Sequence, residues 1–376
     1  MKSEPRTKQQ LSPRIIISGG GTGGHIFPAI SIANALKQLM PSAEILFVGA
    51  LGRMEMERVP QAGYSIEGLP VRGFDRKNIF KNIRVVFDLL RSMIKARKII
   101  RTFRPDVAIG VGGYASGPLL RAAAAKGIPT VLQEQNSYAG VTNKLLAKKA
   151  AVICVAYDEM ERFFPASKLI KTGNPVRGDL LMMPSRAPEA YHYFGLSSEK
   201  PTLLIIGGSL GARTINHSVI AGLERLANSG VQVIWQTGKL YSVEARETSK
   251  QYHSESLVVT DFISRMDYAF SVADLVISRA GAGTISELCL LAKPVILVPS
   301  PNVAEDHQTK NAMALVNKEA ALLIKDSEAR EKLISTALQL IGQQEKLIQL
   351  SKNIKSLAEE DSAGRIAEQV MKLLKR

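Results

Sequence analysis

Short apolar runs alternate with longer helical patterns over most of the chain. In the first half, Arg14–Ser18, Ile45–Gly49, Val107–Gly110, Thr130–Gln133 and Val152–Ala156 read as strands. A second series follows at Leu203–Gly207, Val231–Gln236, Leu257–Asp261, Leu275–Ser278 and Val295–Pro299. Helical patterns fall between them near Pro28–Met40, Ile83–Phe103, Ala212–Ala227, Thr284–Leu291 and His307–Asn317. Strands alternating with helices of this length predict βαβ units and a parallel sheet. The last 50 or so residues are helical throughout, with charges suited to exposed faces.

The pattern repeats. RIIISGGGTGGH opens one series and TLLIIGGSLGA opens another about 190 residues later, each a buried strand, a glycine-rich turn and a helix. The fold class expected is α/β: two Rossmann-like, doubly wound parallel-sheet domains. The join is placed in the turn-forming segment Thr172–Gly178. That gives a first domain over residues 1–176 and a second over 177–357, with a helix over 358–376 able to pack back on the first. Ligands of such sheets bind beyond the carboxyl ends of the strands, so the cleft between the two domains is the expected site.

At 376 residues the length suits two or three domains, and 45% hydrophobic with 22% charged residues excludes a disordered or fibrous chain. The net charge of +15 points to an anionic partner. Two cysteines, Cys154 and Cys289, exclude a disulfide framework and a four-cysteine zinc site, and their apolar surroundings predict buried free thiols. The start, MKSEPRTKQQLSPR, lacks the apolar core of a signal peptide, and no run is long enough to span a membrane. A soluble cytoplasmic protein, or one peripheral on a membrane, is expected.

The basic surplus is local. Between Val71 and Pro105 there are eleven Lys and Arg against only Asp75 and Asp88. Ile79, Phe80, Ile83, Val86, Phe87 and Leu90 are interleaved with them. The spacing fits an amphipathic helix with a cationic face for an anionic membrane surface, with Ile79, Phe80, Ile83 and Phe87 as the lipid-facing patch. It also fits a crossover helix packed on the core, and both can hold together. The patch is too poor in aromatics for nucleic-acid stacking.

Gly19, Gly21 and Gly24 satisfy G-x-G-x-x-G between a strand and a helix. The next strand ends Phe47-Val48-Gly49, without the acid that would hold a dinucleotide ribose, so a nicotinamide enzyme is disfavoured. Glycines still let backbone N–H groups approach a ligand, and a helix start adds partial positive charge. The loops at Gly19–Gly24, Gly112–Gly117, Gly207–Gly211 and Ser278–Thr284 therefore read as phosphate or oxyanion cradles, or simply as tight turns. His25 closes the first loop at a helix start, where a neutral imidazole suits a general base or a hydrogen-bond donor. Gln133-Glu134-Gln135-Asn136 ends a strand with four polar groups, making Glu134 a second candidate base. Glu287, one turn into its helix, suits a ribose, and His307, Gln308 and Asn311 share a helix face suited to sugar hydroxyls.

GGGTGGHIFPA, VGGYASGP, QEQN, TGNPVR, GGSLGAR and RAGAGTISE…HQTKNA, in this order, resemble the MurG family, from Arg14 to the C-terminus. These are N-acetylglucosaminyltransferases of peptidoglycan synthesis. The resemblance implies a GT-B fold and inverting transfer of GlcNAc from UDP-GlcNAc to the C4 hydroxyl of undecaprenyl-diphospho-muramoyl-pentapeptide. It puts Arg177 near the uracil, Ser209 and Thr284 at the diphosphate, Phe262 and Ile263 beside the base and Glu287 on the ribose. His307, Gln308 and Asn311 fall to the sugar, although His307 stands where some members carry Gln. His25, Glu134 and Asn136 match cleft-facing positions, with His25 and Glu134 as catalytic candidates; Thr22, Gly23 and Asn136 join the donor-contacting set. No cofactor is implied, and no Asp-x-Asp metal site occurs. Expected partners are the donor, the lipid-linked acceptor, an anionic membrane surface and cell-wall synthesis proteins, on the cytoplasmic face of the inner membrane. The competing readings are another UDP-sugar enzyme, such as a glycolipid glycosyltransferase or a 2-epimerase, and a non-enzymatic nucleotide-sugar binder.

Overall fold

A computed structural model describes residues 12–73, 81–176, 178–208, 210–252, 256–303 and 306–375. The chain forms two compact units, Met1–Val176 with Asp361–Arg376, and Arg177–Glu360.

The first unit holds a seven-stranded parallel sheet. Its strands are β1 (Arg14–Ser18), β2 (Glu44–Ala50), β3 (Ser65–Leu69), β4 (Val107–Gly110), β5 (Thr130–Glu134), β6 (Val152–Val155) and β7 (Leu169–Lys171). They lie in the order β3-β2-β1-β4-β5-β6-β7. Helices α1 (Gly23–Leu39), α2 (Glu55–Gln61), α3 (Lys81–Phe103), α4 (Ser116–Ala124) and α5 (Val141–Leu146) connect them. The sheet is covered on both faces, which explains its unbroken apolar strands. Ile15, Ile17, Phe47 and Ile109 pack in one cluster with Ile26, Ile32 and Leu36 of α1. Ile16, Val48, Ala108 and Leu132 pack in the other with Ile99 and Leu119.

The second unit holds six parallel strands in the order β10-β9-β8-β11-β12-β13. These are β8 (Thr202–Ile206), β9 (Gln232–Gln236), β10 (Leu257–Thr260), β11 (Leu275–Ser278), β12 (Val295–Leu297) and β13 (Leu322–Leu323). Its helices are α6 (Pro188–Phe194), α7 (Arg213–Ala221), α8 (Leu223–Ala227), α9 (Ser242–Ser249), α10 (Met266–Val272), α11 (Ala282–Leu290), α12 (His307–Val316), α13 (Ala329–Ile341) and α14 (Gln344–Lys355). Fully buried Trp235 anchors the core: its Nε1 donates to Asn216 Oδ1 at 2.9 Å, and Asn216 Nδ2 donates to Thr237 O at 2.8 Å. A last helix, α15 (Ser362–Leu374), packs Ile366, Ala367 and Val370 into the α1 side of the first unit.

The doubly wound α/β architecture expected from the repeat is present, and both sheets share one strand order. The details differ where local chemistry outweighs pattern. Helix α1 begins at Gly23, not at Pro28, because the N–H groups of His25 and Ile26 bond to Thr22 O. The helix expected over Ala212–Ala227 is two, broken at Gly222, where a Cβ would lie 2.7 Å from Ile334. The loop read as running to Gly117 ends at Ala115, since Ser116 already starts α4.

At the amino ends of β8 and β11, Arg186 pairs with Asp274 at 2.9 Å, and Asp274 Oδ2 accepts from Thr202 N at 2.8 Å. Buried Lys293 donates to Ala273 O at 2.9 Å. Burial pushes its ammonium down to about 8 from 10.5. Between those values the unfolded chain holds a proton that the native protein has lost, so stability rises with pH. We expect the stability of the wild type, relative to Lys293→Met, to rise by about 1–3 kcal/mol from pH 7.5 to 10 in urea titrations. Buried Cys154 and Cys289, pushed up to about 12, are common to both proteins and cancel. A pH-independent difference would refute the assignment.

Candidate functional site

In the first unit the strand order reverses between β1 and β4, so the loops that follow these strands meet. Gly21 takes a positive φ of +86°, and Thr22 caps α1, placing His25 in its first turn. His25 Nδ1 lies 3.0 Å from Gly20 O and 3.5 Å from Thr22 Oγ1. A carbonyl oxygen only accepts, so Nδ1 carries a proton, and in the neutral imidazole the lone pair then sits on Nε2. The loop after β4 approaches this ring through glycine alone. At Gly112, φ +103°, a Cβ would lie 2.7 Å from His25 Nε2; at Gly113, φ +87°, it would overlap Gly20 O. Gly23 occupies the first helical position beside Phe27. Tyr114 arches from the same loop over Gly73, where a Cβ would strike its hydroxyl.

Glu134, 2% exposed at the end of β5, is saturated with donors. Oε1 accepts from Asn136 N at 3.1 Å and Asn136 Nδ2 at 3.3 Å; Oε2 accepts from Gly140 N at 3.0 Å and Asn143 Nδ2 at 2.9 Å. A carboxylate offers about four lone-pair sites, and all are filled. Glu134 therefore shapes the loop leading into α5 and is poorly placed to accept a further proton. Asn136 is its partner in that loop. Gln133 and Gln135 are also buried: Gln133 Nε2 donates to Asn174 Oδ1 at 3.0 Å, and Asn174 Nδ2 donates to Gln135 O at 3.0 Å. Two of the four polar groups read as a sugar-binding edge thus tie the sheet to the 172–176 segment.

In the second unit the reversal lies between β8 and β11. The loops after β8 and β9 interlock backbone to backbone: a Cβ at Gly211 would overlap Thr237 O, and one at Gly238 would overlap Gly211 N. After β11, Arg279 donates to Val298 O at 3.0 Å and Pro299 O at 3.1 Å, and pairs with Asp326. Asp326 also accepts from Thr214 of α7 at 2.8 Å. The loop so braced starts α11 at N-cap Gly281, with no side-chain cap and no acid in the first turn, leaving a positive helix end. Thr284 and Glu287 follow on one face of α11 at i, i+3. Buried Asn311 reaches back from α12 to Ala280 O at 3.4 Å, so it holds the loop. Gln308 Oε1 accepts from Ser300 N at 2.8 Å, so its amide nitrogen is what it can offer a sugar. His307 precedes it at the start of α12.

After β10, Phe262 is exposed and Ile263 is buried at 5%. Strands β9 and β8 lie between β10 and β11, three interstrand steps or about 14 Å. A ligand spanning from Phe262 to the start of α11 would have to be elongated, with an apolar contact at one end and a positive helix terminus at the other. Arg177 and Ser209, expected at the nucleotide, lie outside the described residues, as do Ile79 and Phe80 of the membrane patch. Ile83 lies in α3 with its side chain outside the description, while Phe87 is 62% exposed.

Sequence reading missed Glu55. It is fully buried at the start of α2, where Oε1 accepts from Ala50 N and Oε2 from Gly21 N, both at 2.9 Å. The signal available was an acid between Met54 and Met56, just after a strand that ends in glycine. Asn174, Asn216 and Arg279 were missed too; each braces a loop through backbone carbonyls, which residue spacing does not show.

Two family models match, the glycosyltransferase family 28 N-terminal domain over residues 15–155 and the C-terminal domain over residues 202–366. A Bacteroides fragilis protein named UDP-N-acetylglucosamine--N-acetylmuramyl-(pentapeptide) pyrophosphoryl-undecaprenol N-acetylglucosamine transferase is 64% identical over 96% of this chain and 95% of its own. A Cytophaga hutchinsonii protein of the same name is 56% identical over 97% and 98%. The crystal structure of Acinetobacter baumannii MurG superposes with TM-score 0.74 at 26% identity, covering 96% of this chain and 99% of that one. A UDP-N-acetylglucosamine 2-epimerase shares the fold alone, with TM-score 0.66 at 12% identity, over 96% and 95%. The chain belongs to glycosyltransferase family 28 and, within it, to the MurG family.

Proposed function

We propose that the chain transfers N-acetylglucosamine from UDP-N-acetylglucosamine to the C4 hydroxyl of a lipid-linked muramoyl pentapeptide; its relatives at 56–64% identity are named as the N-acetylglucosamine transferase of that lipid-linked acceptor. The observation that carries the mechanism is the 3.0 Å contact of His25 Nδ1 with Gly20 O, an oxygen that only accepts and so calls for Nδ1–H. Nε2 is thereby the basic nitrogen, at the carboxyl edge of the first sheet. It takes the proton of the acceptor hydroxyl as that oxygen attacks the anomeric carbon. UDP departs from the opposite side and the configuration inverts. Glu134 holds its loop rather than acting as base.

The donor lies on the second unit. Negative charge building on the leaving diphosphate is met by the N-terminus of α11 and Thr284, with Ser209 added, while Arg177 falls to the uracil. Glu287 takes the ribose hydroxyls, Phe262 and Ile263 the uracil, and His307 and Gln308 the sugar. Thr22, Gly23 and Asn136 are the first unit's candidates for donor contact, while Asn311 acts by fixing the loop before α11.

The membrane surface is α3. Val85, Asp88, Ser92, Ala96 and Ile99 face inward, while Val86, Phe87, Leu90 and Ile94 are 47%, 62%, 56% and 66% exposed. The four exposed residues fall within about 100° of the helix circumference. Arg91, Arg97, Lys98 and Arg101 extend the same side. A stripe of apolar side chains edged by cations suits an anionic lipid surface reached from one side. No described helix is long and apolar enough to cross a membrane.

His25→Ala is expected to lower kcat by about 10²–10⁴-fold, read as acceptor-dependent UDP release; unchanged turnover removes His25 as base. Incubation with UDP-N-acetylglucosamine alone should yield no 2-epimer. Glu287→Ala should weaken the donor by about 10–100-fold in calorimetry, the cost of losing charged hydrogen bonds. Phe87→Ser with Leu90→Ser should reduce partitioning onto anionic vesicles about tenfold or more, with activity on a soluble acceptor analogue retained.

A further inference from the structure

We propose that Glu55 is a positioning residue that holds His25 in its basic tautomer by clamping the peptide unit between Gly20 and Gly21. The inference rests on the reading of His25 as the base. A trans peptide is a rigid plane carrying a carbonyl on one side and an N–H on the other. In this unit the Gly20 carbonyl accepts the His25 Nδ1 proton at 3.0 Å, and the Gly21 N–H donates to Glu55 Oε2 at 2.9 Å. The two contacts therefore fix opposite ends of one plane. Glu55 itself is immobile: it is fully buried, and its second oxygen accepts from Ala50 N at 2.9 Å. Its carboxylate fills the space beside Gly20, where a Cβ would overlap it, and a Cβ at Gly49 would lie 2.5 Å from its Cγ.

The clamp has a reason to exist. Both residues flanking the plane are glycines, and Gly21 already sits at φ +86°, so this peptide has little intrinsic resistance to flipping. A flipped plane would turn its N–H toward His25. Nδ1 would then become the acceptor, the proton would move to Nε2, and the nitrogen assigned to take the acceptor proton would be a donor. An ionised acceptor on the Gly21 N–H opposes that flip more strongly than a neutral one. It also polarises the Gly20 carbonyl toward His25.

The test uses the full chain with ¹⁵N-labelled histidine. In the wild type the His25 resonances should report Nδ1–H and unprotonated Nε2. Glu55→Gln keeps the shape but sets an amide N–H₂ against one backbone donor; Glu55→Asp keeps the charge but loses the reach. Both should shift His25 toward the Nε2–H tautomer and lower kcat by about 10–100-fold, with KM for UDP-N-acetylglucosamine unchanged within about twofold. In a His25→Ala background the Glu55→Gln loss should vanish. An unchanged tautomer in either folded variant, or an equal loss in both backgrounds, overturns the proposal. If His25→Ala keeps wild-type turnover, the reading of His25 as base fails, and the tautomer measurement still decides the role of Glu55.

Discussion

Backbone packed against backbone at the carboxyl edge of each sheet is the constraint on which the rest depends. Where the strand order reverses, two loops converge, and side chains would hold them apart. In the first unit Gly112 and Gly113 remove that obstacle and let the loop after β4 lie on Gly20 and His25. In the second, Gly211 and Gly238 let the loops after β8 and β9, neighbouring strands on one side of the reversal, interlock in the same way. A methyl group at Gly113 or Gly211 would sit inside a carbonyl oxygen. Glycine in these loops is thus a condition of assembly before it is a condition of binding.

This explains how much of the site was legible beforehand. The repeat RIIISGGGTGGH and TLLIIGGSLGA exposes the doubly wound architecture because buried parallel strands are continuous apolar runs and their turns are glycine-rich. The edge strands β3, β7 and β13 escaped notice because they are short and only half buried, so Ser65–Leu69 lacks an unbroken apolar signature. Helices α2, α5, α6 and α10 run for only six or seven residues, too few for a 3.6-residue period to emerge.

Within the site, sequence located polar residues at strand ends but not the direction in which each polar atom points. Glu134 and His25 look alike as candidate bases in a string of letters. The hydrogen-bond geometry separates them: the carboxylate is filled by four donors, whereas the imidazole Nδ1 faces the Gly20 carbonyl. Asn311 and Gln308 divide in the same way, one used for scaffold and the other with a donor pair to offer. Glu55 was invisible because its partners are amides of glycine and alanine, which leave no mark in residue chemistry.

The two units differ in what satisfies the loop amides at their strand ends, and that difference fits the opposite tasks proposed for them. In the first unit the chain supplies its own anions. Glu55 occupies Gly21 N–H and Glu134 occupies the amides of Asn136 and Gly140, so the loops are rigid before any ligand arrives. Rigid, self-satisfied loops suit a residue whose proton must stay on one chosen nitrogen. In the second unit Arg279, paired with Asp326, binds the Val298 and Pro299 carbonyls and Asn311 binds that of Ala280, and α11 starts beside them without a side-chain cap. An amide cluster supported from its carbonyl side is suited to receive an external anion, and a diphosphate supplies one. That contrast supports the proposal that the first unit abstracts the proton and the second receives the leaving group.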